Sequence, residues 1–317
     1  MGARKITVVC VDALSYSGTT WLNLILGSHQ NAFALGPPDR AWNLRDKGFE
    51  GANRVHGEKD TFWRGFDKFW DRKTNFLIAL ADYAKVSHII FDNPSAAFQQ
   101  EVMGHPDIRI VQMAYFRDGR AISASYKRKN PQISYLQSLL PDGWLYHSFM
   151  NMSIDFGVCR KAFHYEECHD DPMRFLTEAG QFIGLQFNEE ALRFWMWDHH
   201  IAGGNSGTIA LVQLGKGYDI GKNDFYRDQF KRLQKDPIGG FQDNRWRDDL
   251  SREDLFSFDQ ILGEKNAKHG YERDVFTVEE RKIFGAEFLE RASPKFPVKG
   301  KARSLLKSAV ARLLPRV

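Results

Sequence analysis

Lys5-Ile6-Thr7-Val8-Val9-Cys10-Val11, then Ser15-Tyr16-Ser17-Gly18, then Thr19-Thr20-Trp21-Leu22-Asn23-Leu24-Ile25-Leu26 is the stretch that decides the fold. The first run is rich in β-branched residues and reads as a strand buried on both faces. A short polar loop follows, and the third run has helical character. Strand, tight loop and helix open a βαβ unit. A loop so placed turns backbone N–H groups toward a ligand at the positive end of the helix dipole, which suits phosphate or sulfonate oxygens. Gly18 permits close approach, and the hydroxyls of Ser17, Thr19 and Thr20 add donors. The loop that grips nucleoside triphosphates needs Gly-Lys-Ser/Thr after four variable residues; that pattern is absent, which disfavours ATP and GTP.

Outward from this loop the alternation repeats. Residues 60–86 carry Phe62, Phe66, Phe69, Trp70, Phe76, Leu77 and Leu80, mostly three or four apart, and the spacing predicts one long amphipathic helix. His88-Ile89-Ile90-Phe91-Asp92 reads as a strand closed by Asn93-Pro94. Ile108 to Phe116 is the longest strand candidate, leading straight into Arg117-Asp118-Gly119-Arg120 and a helix through Arg128. Phe163-His164-Tyr165 reads as a last short strand, and 172–184 and 188–198 read as helices. The Gly-, Asp-, Lys- and Asn-rich stretch from Gly203 to Gly240 reads as long loops of the kind that serve as lids. Ser251-Arg252-Glu253-Asp254 reads as a capped helix start. The expected class is α/β: three layers, a mainly parallel sheet flanked by helices.

Composition narrows the function. The 44 basic and 40 acidic residues leave a net charge of +4, a mild bias suited to a small anionic ligand rather than a length of nucleic acid. Cys10, Cys159 and Cys168 match no zinc or redox spacing, so no disulfide framework and no metal are expected, and a reducing compartment follows. With no secretory leader and no apolar run near the roughly 20 residues of a membrane span, the expected location is cytoplasmic.

A second anion site is written into Arg117 to Tyr126. Sites in open α/β sheets lie at the carboxyl ends of strands. An Arg at such an end and a Ser two helical turns later can jointly hold a phosphate, the Arg through a charge-assisted fork. Together, Ser17-Gly18-Thr19-Thr20-Trp21 and Arg117…Ser125 resemble the PAPS-dependent sulfotransferase family (PAPS is 3′-phosphoadenosine 5′-phosphosulfate). In that family the Ser-Gly-Thr-Thr-Trp loop holds the 5′-phosphosulfate, and the first Arg of an Arg-Asp-Pro-Arg-Ala segment and the Ser eight positions after it hold the 3′-phosphate. The spacing from Arg117 to Ser125 is the family's, with Gly119 in place of its proline.

Further segments are similar to family blocks. Tyr165-Glu166-Glu167, with Asp171-Pro172 and Phe182-Ile183-Gly184-Leu185, implies a Tyr165 near the adenine. His200-Ile201-Ala202-Gly203-Gly204-Asn205 matches a segment of bacterial members, and Arg245-Trp246-Arg247 matches a late segment close to the nucleotide. The resemblance spans scattered blocks from residue 5 to residue 273. It implies a P-loop-like sulfotransferase fold over 1–298, PAPS as co-substrate with PAP as product, no metal, and sulfonate transfer to a hydroxyl or amine. A carbohydrate or glycolipid acceptor is favoured over another small molecule.

Two positions depart from the family. Where it usually places Lys or Arg before the loop, this chain has Tyr16, which can donate a hydrogen bond but carries no charge; Lys216, Lys222 and Lys127 are candidates for the missing cation. The base that takes the acceptor's proton is a His two residues before a Pro in many members. Here that position is Asp92, with Asp39 in Gly36-Pro37-Pro38-Asp39-Arg40 as rival and His56 third. Tyr16 leaves open a protein that binds PAP or PAPS without catalysis; a P-loop-type phosphotransferase is the remoter alternative. The aromatic positions 62–80 and Trp144-Leu145-Tyr146-His147 either line an acceptor pocket or are plain core. Residues 299–317 form a basic amphipathic tail, able to pack on the body or to touch a membrane surface peripherally. The sequence does not speak to oligomeric state.

Overall fold

A computed structural model describes residues 5–150, 158–237 and 243–292; the tail expected at 299–317 lies outside them. In chain order the strands and helices are β1 (Ile6–Ala13), α1 (Thr19–Leu26), β2 (Ala32–Gly36), α2 (Pro38–Leu44), α3 (Phe62–Phe69) and α4 (Phe76–Ala84). Then come β3 (His88–Asp92), α5 (Ala96–Val102), β4 (Ile108–Phe116), α6 (Gly119–Lys129), α7 (Tyr135–Leu139) and α8 (Trp144–Met150). The remainder is β5 (Arg160–His164), α9 (Tyr165–Asp170), α10 (Pro172–Ile183), α11 (Ser206–Gly215), α12 (Asp224–Lys235), α13 (Trp246–Asp249), α14 (Arg252–Phe258), α15 (Glu264–Lys268) and α16 (Val278–Ala292).

These elements form two compact units. The first takes in the described residues of 5–13, 17–116 and 158–237; the second those of 14–16, 117–150 and 243–292. The first unit is built on a five-stranded sheet in the order β2-β3-β1-β4-β5, and every pairing in it is parallel. β1 lies at the centre, with Val8 opposite Ile89 on one side and Ile110 on the other. Its alternation explains why the run is apolar throughout. Val9, Val11 and Ala13 enter one core with Leu22 and Ile25 of α1, Phe175 and Leu176 of α10 and Ile209 of α11. Ile6, Val8 and Cys10 enter another with Trp63 and Phe66 of α3, Leu77 of α4 and Phe98 of α5. Helix, sheet, helix is the three-layer α/β class the sequence predicts.

The second unit is helical, and its core gathers Leu14, Ile122 and Ala124 of α6, Leu136 and Leu139 of α7, Phe256 and Phe258 of α14, and Phe288 of α16. Ser251 caps α14 as expected, reciprocally with Asp254. No helix among the described residues is long and apolar enough to cross a membrane.

Four expectations fail locally. The single helix over 60–86 is two. Trp70 is extended, Arg72 is left-handed at φ 63°, and the Asp71 carboxylate accepts the N–H groups of Lys73 and Thr74 at 2.9 and 2.8 Å. Asn75 then opens α4 by accepting from the N–H groups of Leu77 and Ile78. Residues 188–198 form two 3₁₀ turns, Glu189–Leu192 and Phe194–Met196, because Asn188 accepts from Glu190 N–H and Arg193 leaves the helical path. The stretch after Gly203 is largely helical over its described residues: Asn205 caps α11, whose Ile209, Leu211 and Val212 are buried, and α12 follows after a short connection. Tyr165, read as a strand residue, opens α9.

Candidate functional site

The strand–loop–helix junction lies at the carboxyl end of the central strand, and its backbone is unusual from the first residue. Tyr16 has φ 70° and Gly18 has φ 89° as the residue that opens α1. Gly18 meets two demands. The left-handed conformation favours glycine, and a Cβ there would stand 2.8 Å from the Tyr165 ring. Tyr165 therefore lies close over the loop. It packs at 4.2 Å against His169, which stacks on Trp21 with ring centroids 4.0 Å apart. The three rings make an aromatic wall beside the loop.

No side chain caps α1, so its first N–H groups have no such acceptor. Ser17, 1% exposed, has a hydroxyl with no hydrogen-bond partner among the described residues. A buried hydroxyl without an acceptor, beside an uncapped helix start, is the signature of a place made for an anion's oxygens. Thr20 is otherwise engaged: its hydroxyl accepts the Asn205 N–H at 2.7 Å, and a Cβ at Gly204 would stand 2.7 Å from its methyl. The Gly203-Gly204-Asn205 segment thus braces the loop from outside.

Asp92, at the end of β3, is buried beneath α1. It accepts from the Thr19 hydroxyl and, at 3.2 Å, from the Asn23 amide, which also donates to the Thr19 carbonyl at 2.9 Å. Burial pushes its pKa up to about 6, and these hydrogen bonds restrain the rise. It does not cap α5; that role falls to Ser95. Asp39 accepts from the Ser95 N–H at 2.8 Å and from the Ser95 hydroxyl, so both its oxygens are taken up at the start of α5. His56 is held on both ring nitrogens, by Tyr218 at 2.9 Å and Asp198 at 2.8 Å.

Within the second unit, Arg117 is 7% exposed. Its guanidinium donates to the Tyr16 carbonyl at 2.7 Å and to the Asp243 carbonyl at 3.0 Å, with the Asp243 carboxylate 3.6 Å away. Ser125 lies on the next helix, α6, and accepts from Arg128 at 2.9 Å. Arg128 also donates to Asp243 at 3.1 Å and to Asp249. Arg245 closes the group with a two-pronged contact to Asp243, 2.7 and 2.9 Å. The surrounding guanidiniums hold the Asp243 carboxyl down to about 2, against the opposing effect of burial. Arg117, Ser125 and Arg245 are therefore brought together. The guanidiniums of Arg120 and Arg247 lie 4.7 and 5.0 Å from the centre of the Trp246 ring.

The Tyr16 ring packs edge-on against Tyr126 and Trp144, and the Lys129 ammonium lies 5.9 Å from its centre. Of the cations considered for the missing charge, Lys127 is paired with Asp254 at 2.7 Å and Lys216 lies 3.8 Å from Asp198. Residues of these clusters that were not singled out from the sequence include Asn23, Arg128 and Asp243. Asn23 and Arg128 each sit three or four positions after a chosen residue, Thr19 or Ser125, and helical spacing would have found both.

Solved structures similar to this chain include the sulfotransferase domain of the Synechococcus PCC 7002 olefin synthase. It is 16% identical with a TM-score of 0.49, and the match covers 85% of this chain and 96% of that one. The sulfotransferase domain of the curacin biosynthetic pathway is 14% identical with a TM-score of 0.45, covering 86% and 99%. Retinol dehydratase in complex with retinol and PAP is 12% identical with a TM-score of 0.31, covering 87% and 84%. No protein-family model and no curated protein matches the chain.

Proposed function

We propose that this chain is a cytoplasmic PAPS-dependent sulfotransferase. The loop Ser17–Trp21 is assigned to the 5′-phosphosulfate and Arg117 with Ser125 to the 3′-phosphate, and the family resemblance assigns Tyr165 to the adenine and Arg245, Trp246 and Arg247 to the nucleotide. The observation that carries this reading is the buried, unpartnered Ser17 hydroxyl at an uncapped helix start. In the reaction the acceptor oxygen bonds to sulfur, the sulfur–oxygen bond to the 5′-phosphate breaks, and PAP leaves. The acceptor's proton passes to Asp92, whose pKa near 6 leaves it ionised yet basic at neutral pH. Positive potential for the leaving oxygen comes from the loop amides and the α1 dipole, since Tyr16 brings no charge. The acceptor is a hydroxyl-bearing small molecule, with a carbohydrate or glycolipid favoured by the family resemblance.

The test is transfer of radiolabelled sulfonate from PAPS to a panel of sugars, glycolipids and simple alcohols, together with calorimetric titration with PAP. PAP binding with label on one acceptor class supports the reading, and no PAP binding refutes it. A second reading, a PAP-binding protein without catalysis, is favoured by the uncharged Tyr16; it predicts PAP binding with no label on any acceptor.

A further inference from the structure

The Arg117–Ser125 cluster already contains an anion. Arg128 and Arg245 donate directly to the Asp243 carboxylate, Arg117 lies 3.6 Å from it, and the Arg128 nitrogen that reaches Asp243 is the one that reaches Ser125. Among the described residues, three guanidiniums, those of Arg117, Arg128 and Arg245, converge on the Asp243 carboxylate, and Arg128 also reaches that of Asp249. A monoanion with two oxygens thus occupies a cluster of donors able to serve a dianion with three, and arginine's planar fork matches phosphate as well as carboxylate.

We propose that the Asp243 carboxylate holds the place of the nucleotide's 3′-phosphate, and that Arg128 and Arg245 pass from Asp243 to that phosphate when the nucleotide binds. This rests on the assignment of Arg117 and Ser125 to the 3′-phosphate. Two consequences follow. Arg128 is a phosphate ligand in its own right, additional to the Arg and Ser of the motif. Asp243 is a specificity device: it occupies the guanidiniums of Arg117, Arg128 and Arg245 until an anion of higher charge displaces it, so adenosine nucleotides lacking the 3′-phosphate gain nothing from the cluster.

The experiment is calorimetric titration of the full chain with PAP and with adenosine 5′-monophosphate, for wild type, Asp243→Asn, Asp243→Glu and Arg128→Gln; thermal melting of the unliganded proteins checks that each is folded. Asp243→Asn should bind PAP about tenfold more tightly, the size of one charged hydrogen bond freed, with 5′-monophosphate affinity unchanged. Asp243→Glu keeps the carboxylate and should stay near wild type, and Arg128→Gln should bind PAP about tenfold more weakly. If wild type binds PAP but Asp243→Asn binds it no better, the displacement is wrong while the functional reading stands. If neither nucleotide binds, or PAP and the 5′-monophosphate bind equally to every variant, the functional reading falls and this inference with it.

Discussion

The loop around Gly18 and the arginine cluster around Asp243 are both suited to anions, but they are prepared in opposite ways. The loop relies on uncharged groups, a buried hydroxyl and backbone amides, held in an unusual backbone conformation and answered by no side-chain acceptor. The cluster relies on formal charges, and each of its guanidiniums already has carboxylate or carbonyl partners. Amides cannot be moved aside, so the loop is set by backbone geometry. Guanidiniums on long side chains must be held by something, and here a carboxylate holds them. Geometry governs the first region and charge balance the second.

Substitutions at four positions sharpen or break that contrast. The largest effect is expected from Asp92→Asn, which keeps a side chain of the same size beneath Thr19 and removes only the carboxylate's basicity: PAP affinity should persist while turnover falls about 10²- to 10⁴-fold, the usual worth of a positioned base. Full turnover would remove Asp92 from the chemistry. In the wild type, turnover should rise as pH passes about 6. Stability should move the other way. The folded carboxyl has its pKa raised from the ordinary 3.8 to about 6, so its contribution is fully present below 3.8 and is lost as pH rises through 6. Chemical denaturation at pH 4.5 and 7.5 should show this loss in wild type and not in Asp92→Asn.

Next, Gly18→Ala sets a Cβ against Tyr165 at a left-handed position and should cut turnover about a hundredfold by displacing the loop. It should weaken PAP and adenosine 5′-monophosphate alike. Arg117→Ala should weaken PAP about thirtyfold, the loss of charged hydrogen bonds, and spare the 5′-monophosphate; a loss shared equally by both nucleotides would contradict a charge-specific second region. The smallest effect is expected at Tyr16. Removing its hydroxyl with Phe should lower turnover roughly fivefold, whereas Tyr16→Lys, which returns the family's cation, should preserve or raise it in a PAPS-dependent transfer assay.

The parts of this molecule legible in the sequence are those written in short-range patterns. The strand Ile108–Phe116 is a β-branched and aromatic run with a polar residue after each end, and it forms with those bounds. The Ser251–Asp254 cap is a four-residue signature and is present in full. The 60–86 helix misled because its apolar spacing continues across a break made by polar side chains. Asp71 and Asn75 bond their own backbone, and hydrophobic periodicity carries no record of that. At 203–240 the glycines masked a helix whose start is fixed by the Asn205 side chain alone. The candidate site divides in the same way. Thr19, Arg117 and Ser125 belong to motifs, but the partners that define their state, Asn23, Asp243 and Arg128, are contributed by helical neighbours or by a residue more than a hundred positions away.

The central position of β1 has a consequence for the loop it carries. Its amides and carbonyls are bonded to β3 and β4 on its two edges, and its side chains are sealed beneath helices above and below. Amide protons of Val8, Val9 and Cys10 should be among the last to exchange with deuterated solvent, since they are released only when the whole sheet opens. A ligand loop mounted on such a stem inherits its immobility at one end. Whatever adaptation accompanies binding must come from the α1 side or from the residues that close over it.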